Sequence, residues 1–251
     1  MKGRLAVLGR RDFLGNFDSK QLLEKDNVLF LPLEDLPQNY SGSELIEGVV
    51  CFLDNERDLV LLSQTDLLKN SSLVLVCKGD VSLLEKQLEQ LEIKGKNVSV
   101  YMAGDKESDA SILINFVDTF LRRDLIDLDM SNFVSMISRG DYLLSRRIFV
   151  SRDEKEVEKA LKKLFKEMIG YLESKHLNSI TLKFLGDNSL TLDNVYSVAE
   201  IIRNKYFYVD SWQLGVSVKD NLSGWELVVF FSLREVNENG KEERILPIFD
   251  V

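Results

Sequence analysis

Asp127, Asp129 and Asn132 fall within the stretch Ile-Asp-Leu-Asp-Met-Ser-Asn-Phe, residues 126–133. Short acids and amides at this density can aim several oxygens at one point and polarise a water held there. The same residue types also hydrogen-bond nearby backbone and cap a following helix. A helix-like run from Ile112 to Asp124 delivers the loop, with Ile112, Leu113, Phe116, Val117, Phe120 and Leu121 on one face. Arg10 and Arg11 follow the first apolar run, where they would hold an anion at a strand-to-helix turn or stand as a solvated basic pair. Arg139, Arg146 and Arg147 would face an acidic partner, or pair with nearby acids for about 0–1 kcal/mol each.

Other chemistry is limited by composition. The chain has one histidine, His176, which excludes His-rich metal sites and makes a Ser-His-Asp triad improbable. His176 sits in Glu-Ser-Lys-His-Leu-Asn and reads as a polar helix end facing the helix dipole. A net charge of −9 argues against a nucleic-acid binder, which needs a basic face to displace counterions. Length, 251 residues, allows one large domain or two smaller ones. No apolar run approaches the roughly 20 residues that span a bilayer. The apolar stretch before Arg10 is too short for a signal peptide. Cys51 and Cys77 each lie in an apolar run and read as reduced core thiols. Together these features point to the cytoplasm.

The first half alternates apolar runs with polar or helical segments. Leu5–Leu8, Val28–Leu31, Gly48–Leu53, Ser72–Cys77 and Asn97–Met102 are near-continuous, as strands buried on both faces of a parallel sheet would be. Leucines at helical spacing over Val81–Leu91 supply a βαβ crossover. In the second half the pattern gives a helix over Glu154–Leu172 and a strand over Asn178–Leu185. A helix over Leu192–Asn204 and strands over Val209–Val218 and Trp225–Leu233 follow. Trp212 and Trp225 read as core residues on those strands. Such an order suits an α+β unit with helices on one face of a mixed sheet.

In order, spacing and short signatures, residues 126–235 resemble the C-terminal domain of FtsZ, the bacterial tubulin. Asp129-Met-Ser-Asn-Phe-Val-Ser-Met-Ile matches the loop leading into the family's next helix. The Glu156–Met168 helix takes the place of an alanine-rich one. Ser179-Ile-Thr-Leu-Lys-Phe-Leu-Gly-Asp-Asn-Ser-Leu-Thr-Leu-Asp-Asn-Val matches a strand, a Gly turn and a helix start. Trp212-Gln-Leu-Gly-Val-Ser-Val and Trp225-Glu-Leu-Val-Val-Phe-Phe-Ser match two later strands.

The resemblance implies that Asp127, Asp129 and Asn132 correspond to a loop reading Asn-x-Asp-x-x-Asp in FtsZ. That loop reaches into the nucleotide pocket of the next subunit and completes a GTPase site. Here the middle acid is kept and the outer two residues are exchanged between acid and amide. The resemblance also implies a Gly-rich loop whose backbone N–H groups approach the phosphates of GTP. At the matching place after Ser72–Cys77 the chain reads Lys78-Gly79-Asp80-Val81. One glycine remains there, and an acid stands where phosphates should lie. Gly9, Arg10 and Gly15 of the first-strand loop, with Gly79, are what is left of the nucleotide contacts. A helix, strand and helix that the family places after its fifth strand are missing.

The expected fold class is α/β: a reduced Rossmann-like parallel sheet joined by a central helix to an α+β FtsZ-type C-terminal domain. The expected boundaries are 1–110 for the first domain, 111–125 for the connecting helix and 126–251 for the second domain. The expected function is that of a non-catalytic FtsZ/tubulin-like protein. It would act through protein–protein interaction or assembly, in cell division or a related cytoskeletal process. Its partners would be itself or FtsZ-type subunits, with no cofactor, no metal, no nucleic acid and no direct membrane insertion. An aberrant polymerising GTPase is the alternative, with GTP and Mg as cofactors and Asp129 orienting water. A small-ligand-binding α/β protein is a third reading. Asn237–Gly240 signals a hairpin turn, and residues 245–251 would form an edge strand or a recruitment peptide.

Overall fold

The computed structural model describes residues 4–15, 17, 28–36, 46–65, 71–77, 81–91, 97–104, 107–121, 125–150, 154–172, 175–187, 189–205, 209–218 and 224–235. Each of the apolar runs of the first half is a strand: β1 (Arg4–Gly9), β2 (Val28–Pro32), β3 (Ile46–Leu53), β4 (Ser72–Cys77) and β5 (Val98–Tyr101). Among them lie the short α1 (Arg11–Gly15), a 3-10 turn at Leu33–Asp35, α2 (Glu56–Ser63) and α3 (Val81–Gln90). Next come α4 (Asp109–Phe120), α5 (Met130–Ser138) and β6 (Tyr142–Val150). The order ends with α6 (Glu154–Leu172), β7 (Lys175–Gly186), α7 (Leu192–Lys205), β8 (Ser211–Val218) and β9 (Trp225–Glu235). The elements form an α/β fold on mixed, mostly parallel strands.

By compactness the chain divides into two units: Met1–Leu121 with Leu128–Leu144, and Arg122–Asp127 with Ser145–Val251. In the first unit the strand order is β2-β1-β3-β4-β5, every neighbour parallel, and Tyr142 and Leu143 of β6 pair with β5. The central strands β1, β3 and β4 are buried almost throughout, which accounts for their continuous apolar sequence. Edge strand β2 is only half-buried.

The 111–125 segment falls partly in each unit, within Met1–Leu121 and Arg122–Asp127. α4 belongs to the first unit, and so does α5, which packs on β3, β4 and β5. The reason lies in the aromatic residues of both helices. Phe133 of α5 meets Phe116 and Phe120 of α4 with ring centroids 5.8 and 5.3 Å apart, both edge-on. Tyr101 of β5 lies 5.9 Å from Phe116. Gly48 of β3 opens the necessary space, since a side chain there would run into Met130 and Phe133.

In the second unit β7 lies between antiparallel β9 and parallel β8, with the unit's part of β6 beyond β9. Val157, Leu161, Leu164, Phe165 and Met168 of α6 are buried, as are Val195, Val198 and Ile202 of α7. Strand β8 is held from its other side by an antiparallel bridge. Leu125 and Ile126 N–H groups donate to Val216 O at 2.8 and 3.2 Å, and Val216 N–H donates to Ile126 O at 3.0 Å.

Two expectations need correction. His176 is not at a helix end: it lies near the start of β7, exposed and opposite Arg234 of β9. The polar run that resembled a helix end is the start of a strand pair. Trp212 is only half-buried because β8 has a strand neighbour on one side and only the Ile126 bridge on the other; Trp225 is buried. The turn at 237–240 and residues 245–251 lie outside the described residues. Among those described, no helix is long and apolar enough to cross a membrane.

Candidate functional site

In an open parallel sheet, ligands bind beyond the carboxyl ends of the strands where the strand order reverses. The order β2-β1-β3 puts that point between β1 and β3. Gly9 ends β1 there and Arg10 follows it, and Asp54, Asn55 and the start of α2 follow β3. A helix N-terminus and an arginine at this place are the elements of an anion site.

The anion is supplied by the chain itself. Asp58, in the first turn of α2, is 1% exposed. One of its oxygens accepts the Asp54 and Asn55 N–H groups at 2.9 and 3.3 Å. Arg10 Nε donates to both of its oxygens, at 3.1 and 3.3 Å. Asn55 completes a capping box, its side chain accepting the Arg57 N–H at 3.0 Å. Hydrogen bonding to Asp58, and then its charge, raise the Arg10 pKa above the usual guanidinium value. The acids Asp54 and Glu34 add to the raising in smaller measure. Cys51, inside β3, is raised well above the ordinary thiol range, chiefly by burial and secondarily by the Asp58 charge.

Gly9 does not leave room for a ligand either. A Cβ there would stand 2.6 Å from Cδ1 of Phe13, so the Phe13 ring covers that face. Phe13 stacks into a cluster with Phe17 and Phe52, at centroid separations of 4.8 and 4.9 Å, and Phe17 lies 6.4 Å from Phe30. An aromatic plug thus fills the ends of β1, β2 and β3 on the α1 side.

The remaining candidates from sequence are dispersed. Gly15 ends α1, exposed, with open space around it. Arg11 is bound by Asp35 at 2.6 and 2.7 Å. Gly79, with Lys78 and Asp80, lies outside the described residues. It follows β4, which is not at the reversal of strand order. Leu53, Leu59, Leu83, Leu84 and Cys77 line a cavity of about 230 Å³. That is smaller than the roughly 300–1,000 Å³ of typical small-molecule clefts.

Asp129 and Asn132 form the capping box of α5. Asp129 Oδ1 accepts the Ser131 and Asn132 N–H groups at 2.9 and 3.2 Å, and Asn132 Oδ1 accepts the Asp129 N–H at 3.1 Å. The Ser131 hydroxyl, 2.5 Å away, is the main cause that holds the Asp129 carboxyl below the usual range. Asp127 is exposed and belongs to the second unit. In the arginine cluster, Arg147 pairs with Glu226 at 2.8 Å, Arg146 donates to Ser145 O at 2.7 Å and Arg139 to Ser135 Oγ at 3.3 Å. Among the described residues, no three His, Cys, Asp or Glu side chains gather as a metal site.

Sequence reasoning missed Asp58 and Phe13. Asn55-x-x-Asp58 directly after an apolar run is a helix-start signal, and it was there to be read.

These features define a two-unit α/β protein whose strand-end crevice is filled from within. No protein-family model matches the sequence, and no curated protein matches it. Solved structures do. The empty FtsZ dimer of M. jannaschii superposes with a TM-score of 0.61 at 11% identity, over 100% of this chain and 96% of that one. TubZ of Bacillus thuringiensis serovar israelensis, in GDP-form protofilaments, gives 0.60 at 12% identity over 91% and 85%. CetZ from Methanosaeta thermophila gives 0.59 at 10% identity over 93% and 87%. The fold is therefore FtsZ/tubulin-like and strongly diverged in sequence. The likeness extends through the first half, where the residues alone matched only loosely.

Proposed function

We propose that the chain is a non-catalytic FtsZ/tubulin-like protein that works by assembly or protein–protein interaction, in cell division or a related cytoskeletal process. The observation that carries this reading is the Asp58 carboxylate held by Arg10 and by the N-terminal backbone of α2. A phosphate arriving there would meet a buried acid in place of free donors, and like charges disfavour one another strongly in such surroundings. Phe13 over Gly9 removes the close backbone approach a nucleotide needs. The similar FtsZ structure is a dimer and the similar TubZ structure is of protofilaments, and self-assembly is the property this chain would share with them. GTP, GDP and Mg are then not required. Asp129 and Asn132 serve as a cap, with no water to orient.

The test is calorimetry of GTP and GDP with Mg on the full chain at high concentration. No heat of binding, together with concentration-dependent association in the absence of nucleotide, is expected. Saturable micromolar GTP binding would overturn the proposal and return Asp129 to the role of orienting water.

A further inference from the structure

α6 carries five lysines, Lys155, Lys159, Lys162, Lys163 and Lys166. At about 100° per residue they occupy one arc roughly 100° wide and about 16 Å long on the helix. All five are exposed. The exposed glutamates of the helix, Glu156, Glu158 and Glu167, fall on the shoulders of that arc and none within it. Lys159, Lys162, Lys163 and Lys166 make no ion pair among the described residues.

Spacing makes the arrangement unfavourable for the helix alone. Lys155 with Lys159, Lys159 with Lys163, and Lys162 with Lys166 are like-charged neighbours one turn apart, which disfavours the helix. The apolar face of α6 is already buried in its own unit, so the outward surface is a lysine arc flanked by glutamates and has nothing to insert into a lipid phase. This concentrated positive face stands on a chain of net charge −9.

A complementary surface exists on the same chain. Asp12, Glu34, Asp54 and Glu56 are exposed at the carboxyl ends of β1, β2 and β3. Arg10 is engaged chiefly by Asp58, with Asp54 4.0 Å away, and Arg11 by Asp35, while Arg57 is exposed beside Glu56, so the acids outnumber the cations along this rim. We propose that the lysine face of α6 docks onto this acidic rim on the first unit of a second copy of the chain. The proposal rests on the assembly reading above and gives it an interface. Two different surfaces meet, so the contact is heterologous.

The experiment is sedimentation velocity of the full chain over a concentration series at low and high salt, without nucleotide. Lys159→Glu/Lys163→Glu and Glu34→Lys/Glu56→Lys are run alone and mixed, with Lys162→Ala/Lys166→Ala as a milder second probe of the same face. Wild-type chain is expected to associate at low salt and to dissociate near 1 M, where the Debye length is only ~3 Å. Either double reversal weakens association by about tenfold or more, the alanine pair weakens it less, and the two reversed chains recover it when mixed. A wild-type chain that stays monomeric overturns the proposal. So does association indifferent to these substitutions, or a lysine variant that loses only its binding to anionic vesicles. Association that survives the reversals removes this interface and leaves nucleotide-free assembly standing. GTP binding in the separate calorimetry removes the parent reading instead.

Discussion

At the residue scale the molecule turns on Asp58. A buried carboxylate is tolerable only with its oxygens satisfied, and here two backbone N–H groups and a guanidinium satisfy them. Asp58→Asn keeps the shape, removes the charge and leaves Arg10 only the exposed Asp54, 4.0 Å away, as an ion-pair partner. A loss of about 2–4 kcal/mol is expected in urea unfolding. The same variant has an arginine and a helix start with no internal anion. Its melting temperature should therefore rise with added phosphate while that of the wild type does not. Asp129 is a simpler case. Its carboxyl is held below the usual range, so its contribution is fully present above the unfolded value of about 3.9 and is lost as pH falls through the lower folded value. Asp129→Ala should cost about 1 kcal/mol at neutral pH. The gap between wild type and variant in denaturation midpoints should close as the solution is acidified below about pH 4. An unchanged gap would mean that the charge does not act through the cap.

At the element scale, legibility followed burial. β1, β3 and β4 were readable because strands buried on both faces have no polar alternation to mislead. α6 was readable because 19 residues keep one apolar stripe. β7 was harder. Ser179, Thr181 and Lys183 alternate with Ile180, Leu182 and Phe184, which reads as a strand with one wet face, yet all six are buried. Period alone does not say what covers the second face of a sheet. The site was less legible than the elements for a related reason. Gly79 was given the phosphate position by the FtsZ resemblance, which matched the family's Gly-rich loop to the residues after Ser72–Cys77. The reversal of strand order, which decides where ligands bind, exists only once β1 has paired with β3. Gly48 tests the packing that brought α5 into the first unit. Gly48→Ala places a methyl against Met130 and Phe133 in a filled core, and overpacking of this kind costs about 1–3 kcal/mol. Unfolding at lower denaturant with an unchanged slope would register it; an unchanged midpoint would mean α5 gives way freely.

At the scale of the whole molecule the question is where one folding unit stops. Sequence pattern and the FtsZ resemblance placed the second domain from 126 onward, where the helical stripe ends and the acidic loop begins. The contacts divide the chain differently, returning Leu128–Leu144 to the first unit after Arg122–Asp127 has joined the second. The two divisions predict opposite behaviour for fragments. A fragment of residues 1–125 ends with α4 and lacks α5. Phe116 and Phe120, both nearly inaccessible in the whole chain, then lose the Phe133 ring that covers them. Removing a buried Phe side chain alone costs about 3–5 kcal/mol, close to the entire stability of a small domain. A fragment of residues 1–144 keeps Met130, Phe133, Met136 and Ile137 on the sheet and Tyr142 beside β5. Fragment 1–144 should therefore be monomeric, cooperatively unfolded by urea and well dispersed in its amide proton spectrum. Fragment 1–125 should be collapsed or aggregated, with exposed apolar surface that binds dye. Cooperative folding of 1–125 would restore the boundary read from sequence. Its failure beside a folded 1–144 would make α5 part of the first unit's core, and with it the capping role of Asp129.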